Sequence, residues 1–253
     1  MFRPVYEPRT RAKEYCDLAA NIYDGCNHDC RFCFAKCMHD RFHPTEDFKN
    51  VHARKGVIEA VKNQLSSSKY IGKKILLCFM CDPYPDIIDT TPTREVMMAI
   101  KDGGADFSIL TKGGLRATRD FDLYKPGDSF GATLTFMNDQ DSLRWEPNAA
   151  FPKLRLTALQ LAHKRGIKTW ASMEPVIDPE QTLQLISESH NYIDLYKVGK
   201  INSDSCKSSP DYQELKRIDK ETDWREFGIR AVLLLEKYGK EYYIKEDLKA
   251  YLG

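Results

Sequence analysis

Cys26, Cys30 and Cys33 stand at C-x3-C-x2-C spacing within one eight-residue stretch, so three thiolates can converge on a single inorganic centre. Iron–sulfur clusters are held by cysteine thiolates, and a four-iron cubane with only three protein ligands keeps one iron open for chemistry. Zinc offers a competing use of the same residues, with Cys37 or His39 as fourth ligand. Zinc sites usually come as two separated pairs, and that pattern is absent here. A disulfide framework would suit eight cysteines in a short secreted chain, but Met1-Phe2-Arg3-Pro4 opens no apolar signal region.

Other candidate residues fall where short apolar runs stop. Cys78, Cys81 and Asp82 follow one run, and Lys112 follows another. Thr133 lies within a third, Glu174 ends a fourth, and Lys200 and Asn202 end a fifth. In parallel α/β folds, function gathers at the carboxyl ends of the strands. Cys78 and Cys81 form a C-x2-C pair, which raises a redox or second-cluster reading; they fall on and just past a strand and not on a free loop, only Cys16, Cys37 and Cys206 remain as further ligands, and a single cluster is expected. Asp82 before Pro83 also suits a turn cap, and His28 reads as an exposed loop histidine.

The runs that position these residues alternate with amphipathic stretches, the pattern of repeated βα units. Strands are predicted near 18–23, 74–80, 106–111, 130–136, 167–173 and 193–198, and helices near 54–66, 93–102, 116–124, 150–165 and 179–189. Six strands joined by crossovers predict an α/β fold, a partial (β/α)6 TIM-like barrel with a parallel sheet. Residues 1–202 would form that barrel with an N-terminal arm, read as a solvated tail. Residues 203–253 would form a helical extension packed on it, with Phe227, Ala231, Leu234 and Leu235 at helix spacing.

Composition narrows the class. At 253 residues one domain is the default. Thirty-eight basic against thirty-seven acidic residues leave a net charge of +1, which gives little long-range attraction to a polyphosphate. No apolar run is long enough to span a membrane, and a cytoplasmic location is expected.

The cluster loop with Arg31-Phe32-Cys33-Phe34 resembles that of radical S-adenosylmethionine (SAM) enzymes. With Asp82-Pro83-Tyr84, Thr111-Lys112, Trp145-Glu146-Pro147 and Glu174-Pro175, the stretch from about 15 to 202 is similar to the spore photoproduct lyase-like branch. The resemblance implies a [4Fe-4S] cluster on Cys26, Cys30 and Cys33, with SAM on the fourth iron. It gives Asp82 the SAM ammonium, Lys112 and Thr133 the carboxylate and ribose, and Phe32 the adenine. Cluster and SAM together would yield a 5′-deoxyadenosyl radical that abstracts hydrogen from substrate. An electron donor such as flavodoxin or ferredoxin is implied. In spore photoproduct lyase a cysteine near this region donates hydrogen; neither cysteine here falls on that position, though Cys81 can line the pocket.

For the substrate, Glu174 facing two N–H donors, with Lys200 on a carbonyl oxygen and Asn202 beside it, suits a guanine-like edge. Tyr84 or Trp145 could stack on its face. A nucleobase-type small molecule is therefore expected, with lyase chemistry. Queuine lyase, which splits a 7-deazaguanine base from its cyclopentene substituent, is one activity in this neighbourhood. The competing reading of Glu174 and Lys200 is a structural ion pair across the barrel mouth. Nucleic-acid repair is the alternative, and a non-enzymatic metal module the third.

Overall fold

The computed structural model describes residues 3–253. Its strands are β1 (Val5–Tyr6), β2 (Leu18–Ala20), β3 (Tyr23–Asp24), β4 (His52–Ala53), β5 (Lys74–Leu77), β6 (Asp106–Thr111), β7 (Ser129–Thr133), β8 (Lys168–Val176), β9 (Leu195–Lys200) and β10 (Glu241–Ile244). Its helices are α1 (Phe34–Phe42), α2 (Val57–Leu65), α3 (Thr91–Asp102), α4 (Asp139–Trp145), α5 (Pro152–Lys164), α6 (Pro179–Ser189), α7 (Tyr212–Glu221), α8 (Trp224–Lys237) and α9 (Glu246–Lys249).

Strands buried on both faces need continuous apolar runs, and Ile75, Leu76 and Leu77 of β5 and all five residues of β7 are buried. They pair in the order β1-β2-β5-β6-β7-β8-β9-β10, parallel throughout except for antiparallel β1 on the edge. The edge strands β1 and β10 do not pair with each other, so the sheet is an open, partial barrel. Helix starts follow local chemistry: the Asp178 carboxylate accepts from Glu180 and Gln181 N–H groups at 2.9 and 3.1 Å, with Pro179 in the first turn of α6.

Four differences from the sequence expectation stand out. The first strand stops at Ala20, and Tyr23–Asp24 turns aside to pair with β4, which aims the cysteine loop inward. The N-terminal arm is no free tail: β1 pairs with β2, and Thr10–Glu14 forms a 3-10 turn over the strand ends. The C-terminal segment is not purely helical, because Glu241–Ile244 pairs with β9 in parallel. That strand is short and flanked by charges, so only its partner reveals it. The stretch expected as a helix near 116–124 is a run of 3-10 turns, Gly114–Leu123; its buried Asp120 is held by Tyr84, Arg94 and Arg119.

Candidate active site

Gly25 turns the chain into the cysteine loop at φ +80°, where a Cβ would meet the Phe48 carbonyl oxygen at 2.5 Å. The Cys26 N–H then donates to that carbonyl at 2.8 Å, and the Arg31 N–H donates to the Trp145 carbonyl at 2.9 Å. Cys33 caps α1, its Sγ accepting from the Lys36 N–H, so the positive end of that helix faces the thiol. Burial pushes the Cys26, Cys30 and Cys33 thiols up. Without metal they hold protons, and a bound cation must displace them.

The donor set fits a cluster better than one ion. Among the described residues no group of three His, Cys, Asp or Glu side chains is gathered to hold a single metal ion. The two proposed fourth zinc ligands have other partners: Cys37 lies beside Cys206 and Ser208, and His39 stacks on His43 with ring centroids 5.2 Å apart.

The loop opens on a cavity of about 410 Å³ at the carboxyl ends of the strands. Cys26, Cys30, Cys33 and Phe32 line one side, Cys78, Cys81 and Asp82 the neighbouring wall, and Lys112 and Thr133 the next two strand ends. Glu174 and Asn202 complete the far wall. Tyr84, Trp145 and Lys200 do not line it. Tyr84 is fully buried, its hydroxyl donating to Asp120 at 3.0 Å. Trp145 packs behind Phe32 with centroids 6.4 Å apart. Lys200 bonds Asp219 of α7 instead of Glu174.

Asp82 is already engaged. Its Oδ1 accepts from the Tyr84 N–H (2.8 Å) and the Thr111 hydroxyl (2.6 Å), its Oδ2 from the Lys112 N–H (2.8 Å). His28 Nδ1 lies 3.5 Å from the same Oδ2. His28 is thus a buried wall residue and not an exposed one: it is 2% exposed, with Nε2 facing the Arg116 guanidinium at 3.1 Å. Arg116 can only donate, which assigns the ring proton to Nδ1. Burial lowers its pKa to about 4, partly opposed by Asp82. Thr133 and Asn202 differ from Asp82, since among the described residues neither side chain has a hydrogen-bond partner.

Glu174 also carries more than expected. It accepts from Arg11 at 2.5 Å, from the Tyr15 hydroxyl at 2.6 Å, and from Lys245. Arg11 also bonds Asp247, so both chain ends meet on this carboxylate. Burial, reinforced by Glu174, holds the Tyr15 phenol neutral. Sequence reasoning missed Arg11, Tyr15 and Lys245, which lie far from any motif. It also missed the roles of Glu146 and Arg155, a buried pair at 2.6 Å behind Lys112; the Trp145-Glu146-Pro147 stretch was the available signal.

A model of the radical SAM superfamily matches residues 20–193. The chain belongs to that superfamily. An uncharacterised protein of Methanocaldococcus jannaschii is 29% identical over 198 residues, 77% of this chain and 74% of its own. An uncharacterised protein of Acidianus two-tailed virus is 27% identical over 262 residues, 92% and 85% of the two chains. Among solved structures, spore photoproduct lyase complexed with dinucleoside spore photoproduct aligns with a TM-score of 0.69 at 11% identity, covering 94% of this chain and 79% of that one. Streptococcus suis SuiB bound to S-adenosylmethionine gives 0.66 at 11%, covering 92% of this chain and 52% of SuiB, so the chain spans about half of SuiB's length. At these identities the likeness is one of fold. Radical SAM proteins are enzymes that use a [4Fe-4S] cluster and SAM and draw on an electron donor and a substrate, and so does this one. Among the described residues no helix is long and apolar enough to cross a membrane.

Proposed function

We propose that this radical SAM enzyme is a lyase acting on a small nucleobase-type substrate, for which a queuine-like modified base is the leading candidate. The supporting observation is the cavity itself: about 410 Å³, with three thiols at one side and polar groups of both chain ends at the other. Drug-sized ligands occupy pockets of roughly 300–1,000 Å³. Because cluster and SAM share this space, what remains suits a single base better than a duplex.

Bound together, the cluster and SAM supply the one-electron chemistry that removes a hydrogen atom from the substrate. Cys26, Cys30 and Cys33 would hold three irons. Lys112 offers its ammonium to the SAM carboxylate, and the unpartnered Thr133 hydroxyl suits the ribose. Phe32, braced by Trp145, offers a face for adenine. The bonds that Asp82 already makes favour a fixing role, tying the loop after β5 to the Lys112 backbone, over capture of the SAM ammonium. For the substrate, Asn202 offers a free donor and acceptor, and Glu174 acts through Arg11 by holding the guanidinium against the cavity. Cys81 brings a weak S–H bond to the wall next to the cysteine loop. Tyr84, Trp145 and Lys200 are given no direct part in base recognition. The electron donor is expected to be a flavodoxin or ferredoxin, in the cytoplasm.

The test is anaerobic reconstitution with iron and sulfide, then dithionite and SAM, following 5′-deoxyadenosine release with and without queuine or a thymine-dimer oligonucleotide. Acceleration by the free base supports the reading. Acceleration by the oligonucleotide alone would move the enzyme to nucleic-acid repair.

A further inference from the structure

We propose that the buried Glu146–Arg155 pair is a positioning device for the carboxylate end of SAM, setting the place and availability of Lys112. This rests on the reading that Lys112 and Thr133 receive SAM. Glu146 and Arg155 are each 1% exposed, and neither lines the cavity, so they act through other groups.

The connections run to the two strand ends that matter. Arg155 Nη1 donates to the Thr133 carbonyl at 3.1 Å, and its Nε donates to the Ala150 carbonyl at 2.7 Å. The Ala150 N–H in turn donates to the Lys112 carbonyl at 2.9 Å. One guanidinium therefore ties the end of β7 to the residue after β6. Its Nη2 meets Glu146 Oε2 at 2.6 Å. Glu146 Oε1 accepts from the Thr135 hydroxyl at 3.0 Å and stands 3.8 Å from Lys112 Nζ.

The unequal distances carry the argument. Glu146 alone in a buried site would claim Lys112 as its counter-ion. With Arg155 as the close partner, Lys112 is oriented by Glu146 at longer range and keeps its charge for an incoming anion. Stability does not account for the arrangement, since replacing a buried ion pair by apolar residues is often neutral or stabilising.

The experiment measures SAM and decarboxylated SAM dissociation constants by calorimetry on reconstituted holoenzyme, with cluster absorbance and thermal midpoint as controls. In Glu146→Leu/Arg155→Leu the cluster is expected to remain and SAM to bind at least about tenfold more weakly, or 1.4 kcal/mol, while decarboxylated SAM binds as before. Lys112→Ala should give the same pattern. Arg155→Lys keeps the charge but cannot reach two carbonyls and the Glu146 carboxylate at once, and a smaller loss of the same selectivity is expected; it serves where the double variant does not fold. Equal weakening of both ligands, or none while Lys112→Ala still loses selectivity, overturns the proposal. If Lys112→Ala leaves selectivity intact, the underlying SAM assignment fails and the proposal falls with it.

Discussion

Replacing Glu174 with glutamine removes the one anion that Arg11, Tyr15 and Lys245 share. Lys245 is 1% exposed, so its ammonium would lose its directly bonded anion in the interior and keep only the longer-range charge of Asp247. Breaking a fully buried pair costs about 3–5 kcal/mol. Glu174 and Arg11 keep 16% and 30% side-chain exposure, and the amide still accepts a hydrogen bond, which reduces the expected loss to about 2–3 kcal/mol. At roughly 2–4 °C per kcal/mol for a chain of this size, the thermal midpoint should fall by about 4–12 °C. Trypsin should also reach Arg9 and Arg11 faster, because the arm loses its anchor. Adding Lys245→Met to Glu174→Gln removes the stranded charge and should recover much of the loss, a coupling read directly from the double-mutant cycle. A midpoint within about 2 °C of the parent for Glu174→Gln alone, or no recovery in the double variant, would refute the claim that this carboxylate holds the two ends together.

Cys30→Ala should lose the iron–sulfur absorbance and all SAM cleavage, whereas Cys81→Ala should keep its iron, as measured by iron and sulfide content. His28 is held near 4, below its unfolded value of about 6.5, so the unfolded chain binds the extra proton first. Its contribution is complete above pH 6.5 and is lost as pH falls toward 4, on the order of 3 kcal/mol across that window. In urea titrations of the metal-free protein, His28→Gln should make stability less steep between those limits; an unchanged slope would count against a buried neutral ring. Gly131→Ala would bring a Cβ within 2.3 Å of the Trp170 ring and should cost at least about 1–3 kcal/mol, visible as a lowered denaturation midpoint.

Local chemistry was the legible part of this chain. The three cysteines declare themselves because a loop can bring close neighbours to one centre without help from the fold. Lys112, Thr133 and Asn202 were found because strands end where apolar runs end, and parallel sheets gather those ends. Lys200 followed the same rule and went astray: its side chain turns to Asp219 on α7, a partner that no short-range pattern places. His28 looked exposed among polar neighbours, but its burial depends on Asp82 and Arg116, which are 54 and 88 positions away. Arg11, Tyr15 and Lys245 meet across more than two hundred residues, and Arg155 was read only as part of a helix. Charge clusters assembled by tertiary structure have no period for a sequence to display.

The meeting of Arg11 and Lys245 on Glu174 has a consequence for assembly in time. Ribosomal synthesis delivers β2 through β9 and all three loop thiols before residues 241–247 emerge. Until then the arm's Arg11 and Tyr15 hold Glu174 without its third partner. Once β10 pairs with β9, Lys245 joins the arm on that carboxylate, and the parts of the chain made first and last are fastened at one anion.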